Sequence, residues 1–371
     1  MLLPPGWKIR RELLAAFDQL KALGLTLISP LRKLLYDKRE LRDIKTYHGD
    51  RLVGQDLVVY LVYQPGGLLE SNYSAINSFV SQGSEVLVVS NGELQASDLE
   101  RLKSITWCVI VRENTGYDFG GYRCGLNYLK SIGLTFNSVH LVNDSIWFPI
   151  VADSDILHQL RNLVTDFGGP VGFLDSKLKG ASIVLSYWLT IKSDLLNSEC
   201  FWSYWRKYTP SENKTLTVKK GERGLSRQMY KEGRQTVGLF TLDKFICAIE
   251  NASFDQLNLT LRYASFVDPL FEEECHELLM TATDTEAWRV SCVAFIGRVA
   301  LKRNFLHSFC YPVISILGVP FLKKNNLKLQ VEMRKKYLAA VRNGDLPMPE
   351  PHIFKEITDS VDPANQTLAF R

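Results

Sequence analysis

Apolar runs alternate with helix-like periodicity through the first half of the chain. Four runs are continuous enough to predict strands covered on both faces, and they occupy residues 57–63, 85–90, 107–111 and 139–142. Between them, apolar residues recur with helical spacing over residues 69–81, 96–102 and 117–132. Strands that alternate with helices in this order predict an α/β fold with a doubly wound, mostly parallel sheet.

Both flanks of this region have different patterns. At the start, Leu13, Phe17 and Leu20 share one helical face, and residues 27–35 are apolar and basic. This pattern predicts a helical N-terminal extension over residues 1–50. The extension either packs on the core or rests as a basic amphipathic element on an anionic membrane.

After Pro149 the pattern is mixed and becomes mainly helical towards the end. We expect strands near residues 170–175 and 182–191, a helix in the aromatic segment 201–205, a helix over 221–233 that ends at Gly233, and a last helix over 328–341. The predicted domains are the extension, a main domain over 51–345 with a donor half (55–150) and an acceptor and catalytic half (151–345), and a flexible tail over 346–371.

Composition narrows the function. The chain has 371 residues, 46% of them hydrophobic and 23% charged, so we expect a globular protein with a sizeable core. A net charge of only +4 argues against a dedicated nucleic-acid binder. Seven scattered cysteines without a C-x-x-C pair favour a reducing compartment. The longest apolar run is too short to span a bilayer, and we therefore expect a cytoplasmic protein.

The most informative segment runs from Val111 to Pro149. Two predicted strands end in polar loops, which place Asn114, Asp118 and Asp144 near the carboxyl edge of a parallel sheet. Ligands of open α/β sheets bind at this edge. An Asp just past a strand can hold a divalent cation, which in turn holds a diphosphate. This layout predicts a nucleotide-sugar glycosyltransferase.

Three blocks of sequence resemble the rhamnan synthesis protein F family of bacterial polysaccharide glycosyltransferases. The first block joins Asn114–Tyr122 to Leu141–Ser145 and Pro149, the second runs from Gly172 to Trp202, and the third contains His307 and Gly318–Lys323. The resemblance implies a GT-A-like fold. It also implies transfer of a sugar, often rhamnose, from a nucleotide diphosphate to a growing glycan. The acceptor expected in such pathways is linked to a polyprenyl lipid, which implies peripheral contact with the inner membrane.

The segment Asn143-Asp144-Ser145 takes the position of the metal-binding motif of GT-A enzymes. Its single carboxylate, Asp144, is the predicted ligand of Mg²⁺ or Mn²⁺, although the usual motif has two carboxylates and Asp144 could instead cap the following segment. The glycines after Asn114 let a backbone approach a ligand, or they only shape a tight turn. The predicted donor-binding residues are Asn91, Asn114, Gly116, Asp118, Gly120, Gly121, Arg123, Asn143, Asp144, Ser145 and Lys323.

An inverting transferase needs a carboxylate that takes the proton from the acceptor hydroxyl. Glu222 is the first candidate because it lies at the start of a predicted helix, where it could also simply complement the helix dipole. Asp175 is the second candidate. The leading hypothesis is therefore an inverting glycosyltransferase, and the alternative is a catalytically silent nucleotide-sugar- or glycan-binding subunit of an assembly complex. No G-x-G-x-x-G follows the first strand, which argues against a dinucleotide-dependent dehydrogenase.

Overall fold

The computed structural model describes residues 44–362, together with Lys33, Leu34, Tyr36 and Asp37. The predictions for the N-terminal helical faces and for the last nine residues lie outside the described residues. Over the described part of the chain, no helix combines the length and the apolar character that a membrane crossing requires.

Eleven strands and sixteen helices make up the described chain. The strands are β1 (Lys45–His48), β2 (Asp56–Val62), β3 (Glu85–Ser90), β4 (Cys108–Val111), β5 (Ser138–Asn143), β6 (Ile146–Trp147), β7 (Phe167–Leu174), β8 (Ser182–Val184), β9 (Trp188–Lys192), β10 (Thr236–Phe240) and β11 (Leu322–Lys323). The helices of the first part are α1 (Glu70–Ser81), α2 (Ala96–Ile105), α3 (Tyr117–Ser131), α4 (Ile156–Arg161), α5 (Ser193–Leu196), α6 (Glu199–Lys207), α7 (Lys214–Leu216) and α8 (Arg223–Lys231), with a π-helical segment, Thr217–Glu222, between the last two. The remaining helices are α9 (Leu242–Glu250), α10 (Phe254–Arg262), α11 (Pro269–Met280), α12 (Glu286–Lys302), α13 (Phe305–Ser308), α14 (Cys310–Ser315), α15 (Lys328–Arg342) and α16 (Pro351–Ser360).

One large sheet organises the fold in the order β1-β4-β3-β2-β5-β9-β7-β10, with β8 paired to β7. Strands β2 to β5 run parallel to one another, and β7 and β10 share their direction. The strands β1, β8 and β9 run the opposite way. The predicted α/β class with a mostly parallel sheet is therefore confirmed.

Apolar residues of the central strands face both sides of the sheet, as continuous apolar runs predict. On one side Val58, Tyr60 and Val62 of β2 pack with α1 and with the helices α9 to α14. On the other side Leu57, Val59 and Leu61 pack with α3 and α6. A third apolar cluster joins β6, α10, α14, α15 and α16. Helices thus cover the sheet on both faces, which leaves its carboxyl edge open to ligands.

Two predictions at the ends of the chain are wrong. Residues 346–371 were expected to form a flexible tail, but Pro351–Ser360 forms α16, whose Ile353 and Ile357 are fully buried. Ser71 and Trp147 also hydrogen-bond to the carboxylate of Glu356 in this helix. Residues 45–48, expected to be helical, form β1 against the edge of the sheet, because strand pairing satisfies the exposed amides of β4.

The central strand β5 contains a buried histidine that makes stability depend on pH. His140 is fully buried, its Nδ1 lies 3.0 Å from Thr190 Oγ1, and burial lowers its pKa to about 3. An unfolded histidine binds a proton below about pH 6.5. The unfolded state therefore binds more protons than the folded state between these two pKa values, and stability is lost as the pH falls below 6.5.

We expect the free energy of unfolding to fall by about 2 kcal/mol between about pH 6.5 and pH 5 because of this one group. Urea unfolding of the parent and of His140→Gln at the two pH values measures the effect. The glutamine keeps a polar partner for Thr190 but does not titrate. Equal losses of stability in the two proteins would contradict the prediction.

Candidate functional site

Several polar side chains lie close together near the carboxyl ends of β2 and β5. Asn143 is the last residue of β5, and Asp144 and Ser145 lead directly into β6. Strand β11 pairs antiparallel with β6, so that Lys323 lies opposite Ile146. This pairing brings the C-terminal block of sequence to the predicted donor motif, 178 residues away in the chain.

A continuous hydrogen-bonded network connects the predicted site residues. Lys323 Nζ donates to Ser145 Oγ at 2.8 Å, and Ser145 Oγ donates to Asn143 Oδ1 at 2.5 Å. Asn143 Nδ2 in turn donates to Asp118 Oδ2 at 3.4 Å. The structure thus brings together four of the predicted donor-binding residues, Asp118, Asn143, Ser145 and Lys323.

Glu222 joins the same network through Ser186. The hydroxyl of Ser186 donates to Asp118 Oδ2 at 3.2 Å, and its amide donates to Glu222 Oε2 at 2.8 Å. Burial, followed by the charge of Glu222, raises the pKa of Asp118. Glu222 ends the π-helical segment before α8 rather than opening a helix, because the helical turn extends back to Lys214. Glu222 is therefore linked to Asp118 because Ser186 hydrogen-bonds to both carboxylates, and not because Glu222 starts a helix.

Asp144 fastens the loop after β2. Its Oδ2 accepts hydrogen bonds from the amide of Tyr63 at 3.0 Å and from Gln64 Nε2 at 3.2 Å. Burial raises the pKa of this carboxyl, and the charge of Lys324 opposes the effect. Tyr63 and Gln64 also line an open cleft, so Asp144 holds one wall of that cleft.

The cleft has a volume of about 610 Å³ and runs along the carboxyl ends of β2, β3 and β4. Asn91 and Asn114 both line it. Asn114 is exposed, whereas Asn91 is buried and bonds to Arg112 and to the carbonyl oxygen of Tyr117. The volume falls in the range of small-molecule and cofactor sites, about 300–1,000 Å³.

Lys323 is a cation among carboxylates. Burial lowers the pKa of its ammonium group to about 8, and the charges of Asp118, Glu222 and Asp144 act against this lowering. Its Nζ also lies 4.0 Å from the centre of the Tyr187 ring, where a cation is attracted by the ring face. The lysine is therefore still mostly charged at neutral pH.

The glycines after Asn114 serve close packing. Gly116 has a left-handed backbone (φ +85°), and a Cβ there would lie 2.4 Å from Pro210 Cβ. A Cβ at Gly120 would lie 2.1 Å from the carbonyl oxygen of Thr115, and one at Gly121 would lie 2.3 Å from Leu61. Both of these glycines are buried within α3. Gly121 lets the helix approach β2, whereas Gly120 lets it pack against the turn that precedes it.

Two predicted site residues point elsewhere. Arg123 is buried and forms an ion pair with Asp37 at 2.8 Å, and these contacts do not favour its predicted role in donor binding. Asp175 forms a two-pronged ion pair with Arg227, at 2.5 and 2.7 Å, which lowers the pKa of this carboxyl to about 2. Because its oxygens already hold a guanidinium, Asp175 is a poor proton acceptor.

The side chains around Asp144 do not form a suitable set of ligands for a divalent cation. Across residues 44–362 no group of three or more His, Cys, Asp or Glu side chains converges. The nearest carboxylates are already hydrogen-bonded, Asp144 to the β2 loop and Asp118 to Asn143 and Ser186. The charged side chains of Lys323 and Lys324 also lie near these carboxylates. Asp144 as a metal ligand therefore remains a sequence-based hypothesis that these contacts do not favour.

The fold and site define an α/β protein with a polar cleft and a cluster of carboxylates and lysines at the carboxyl edge of its sheet. The resemblance to the rhamnan synthesis protein F family is confirmed, because the family's model matches residues 86–252. A relative in Sinorhizobium fredii, the uncharacterized protein y4gN, is 28% identical over 357 residues, which cover 94% of this chain and 91% of that protein.

Solved structures show only distant likeness. The mannosyltransferase PcManGT from Pyrobaculum calidifontis, solved with GDP-Man and Mn²⁺, aligns over 93% of this chain and 97% of its own, with 12% identity and a TM-score of 0.28. The mannosyltransferase Ktr4p from S. cerevisiae aligns over 49% of this chain and 69% of its own, with 12% identity and a TM-score of 0.26. Such low TM-scores carry no argument about substrate or reaction.

Three residues of the site were missed in the sequence. Ser186 lies in the link between β8 and β9, and nothing in its local sequence indicates that it joins two carboxylates. Gln64 follows the first apolar run, where a polar residue is ordinary. Lys324 had a signal, since it directly follows Lys323 in the family-like block.

Proposed function

We propose that this protein is a glycosyltransferase that moves a sugar from a nucleotide diphosphate to a growing cell-surface polysaccharide. The match to the rhamnan synthesis family supports a glycosyltransferase, and rhamnose or a related deoxysugar is the sugar that the family description suggests. The observation that carries the proposal is the network from Lys323 through Asp118 to Glu222. It combines carboxylates able to move a proton with a cation able to meet a diphosphate.

In the proposed reaction Glu222 takes the proton from the acceptor hydroxyl. The oxygen then attacks the anomeric carbon, the bond to the diphosphate oxygen breaks, and the anomeric centre inverts. Ser186 fixes one carboxylate oxygen of Glu222 through its amide. Asp118 lies on the other side of Ser186 and accepts its hydroxyl, which holds Ser186 in position beside Glu222.

The cleft along β2, β3 and β4 is the proposed nucleotide site. It is lined by side-chain amides, from Asn91 and Asn114, and by hydroxyls, from Ser90 and Tyr63. Such groups recognise a base or a ribose. The acceptor is proposed to be a lipid-linked glycan at the cytoplasmic face of the inner membrane.

A direct test incubates the purified chain with UDP-, GDP- and TDP-sugars and measures release of nucleoside diphosphate, with and without an oligosaccharide acceptor. Release that depends on one donor and rises with acceptor supports the transferase. Binding of a nucleotide sugar without any release or transfer would instead favour the silent binding subunit, the alternative that the single-carboxylate motif suggests.

Membrane contact provides a separate test. We expect the chain to bind anionic vesicles through its basic N-terminal segment and to lose this binding as salt rises. Removing residues 1–30 should weaken vesicle binding and leave Tyr36 and Asp37, which contact Arg112 and Arg123, in place. Vesicle sedimentation measures the effect, and unchanged binding by the shortened chain would show that residues 1–30 are not the contact.

A further inference from the structure

We infer that Lys323 and Lys324 supply the positive charge that the donor diphosphate requires, so that binding of the nucleoside diphosphate needs no divalent cation. This inference rests on the proposed function and concerns the same site.

The position of Lys323 carries the first part of the inference. Its ammonium group is held by Ser145 Oγ at 2.8 Å and by the face of the Tyr187 ring. The hydroxyl and the ring hold the group in place without neutralising it. An ammonium group has three donors, so two remain for phosphate oxygens after the bond to Ser145.

Lys324 adds a second charge directly after the same short strand. Its backbone amide donates to the carbonyl oxygen of Ser145 at 2.9 Å, which fixes it beside the motif. Its Nζ donates to Ser71 Oγ at 3.1 Å and lies 5.6 Å from the Trp147 ring centre. Burial lowers the pKa of Lys324, and the charge of Asp144 acts against the lowering. Both lysines therefore contact neutral hydroxyl and aromatic groups rather than a carboxylate in a close ion pair.

The state of the nearby carboxylates explains why ammonium groups, and not a metal ion, would meet the diphosphate. A cation held by carboxylates needs carboxylate oxygens that are free. Asp144 Oδ2 already accepts two hydrogen bonds from the β2 loop, which leaves Oδ1 of that carboxylate. Asp118 accepts at both oxygens, at Oδ1 from the amide of Phe119 and at Oδ2 from Asn143 and Ser186. Two partly buried positive charges beside them would also repel a dication. Positive side chains stabilise the charge on a departing diphosphate as a metal ion does.

The test is calorimetric titration of the full chain with UDP, GDP and TDP, in excess EDTA and separately with Mn²⁺ or Mg²⁺. We expect one of these nucleoside diphosphates to bind in EDTA with an affinity within a few-fold of that in the metal. Lys323→Gln should weaken binding in EDTA by about ten- to a hundred-fold, as loss of a charged hydrogen bond does. Lys323→Arg, which keeps the charge, should restore part of it.

Lys328→Gln is the matched control, since it removes the same charge from an exposed position at the start of α15, and it should bind as the parent does. Circular dichroism and thermal unfolding check that each variant folds, and Lys324→Gln repeats the test on the second lysine. Binding that requires metal, or unchanged affinity in both Gln variants, overturns the inference and leaves the transferase proposal standing. Failure of every nucleoside diphosphate to bind in either condition overturns both.

Discussion

Glu222→Gln should lower the rate of sugar transfer by about 10²–10⁴-fold, the usual scale for one general base, and leave donor affinity nearly unchanged. Glutamine keeps the size of the side chain and a carbonyl oxygen for the amide of Ser186, which donates to Glu222 at 2.8 Å. It cannot take a proton from the acceptor hydroxyl. Turnover with an oligosaccharide acceptor and donor affinity from calorimetry, measured on the same preparation, separate the two effects.

Asp175→Asn is the matched control, because it removes one carboxylate in the same half of the chain. Asp175 is paired with Arg227, and its pKa of about 2 makes it a weak base, so we expect turnover within a few-fold of the parent. Near-normal turnover in Glu222→Gln would contradict the assignment. Asp118 would then be the next base to test, since it lies across Ser186 and burial raises its pKa.

The central sheet could be predicted from the sequence because its strands are continuous apolar runs. The predicted limits of β3 agree with the structure, and those of β2, β4 and β5 differ from it by only one or two residues. Burial on both faces makes nearly every position of such strands apolar, so the pattern is clear. The loops that follow them were therefore placed correctly at one edge of the sheet.

The antiparallel additions could not be predicted in the same way. Strand β9 inserts between β5 and β7, and β1 joins the edge at β4, through pairings between segments that are far apart in the chain. Because β9 lies between β5 and β7, the short link before it places Ser186 beside Asp118 and Glu222. Local sequence fixes the pattern of a strand, whereas its neighbour depends on the whole fold.

Arg123 and the glycines of α3 show a second limit. A Gly-Gly pair followed by an arginine at a helix start resembles a phosphate-binding turn, and the sequence alone favoured that interpretation. In the structure, Gly121 gives close contact with Leu61, and Arg123 faces Asp37 near the N-terminal segment. Close helix packing and ligand binding both favour small residues near a helix start. The sequence pattern alone therefore does not distinguish between them.

Asp144→Ala should lower transferase activity by about 10²-fold while the fold stays intact. The carboxylate ties the amide of Tyr63 and the side chain of Gln64 to the end of β5, and both residues line the cleft. Without it the cleft wall loses its anchor, and a misplacement of about 1 Å in a reacting group can cost about 10²-fold in rate. The charge that balances Lys324 is lost as well.

In Asp144→Ala we expect both the nucleotide affinity and the turnover rate to fall. This distinguishes Asp144 from the proposed base Glu222, whose loss should lower only the turnover rate. Asp153→Ala is the control, since Asp153 is exposed beyond β6 and should leave both quantities unchanged. Thermal unfolding within a few degrees of the parent would show an intact fold, because water can reach the freed amide of exposed Tyr63. Activity within a few-fold of the parent, with unchanged affinity, would mean that the β2 loop holds its position without Asp144. In that case the cleft wall must be fixed by the remaining contacts of Gln64, whose Oε1 accepts the amide of Leu69 at 2.8 Å.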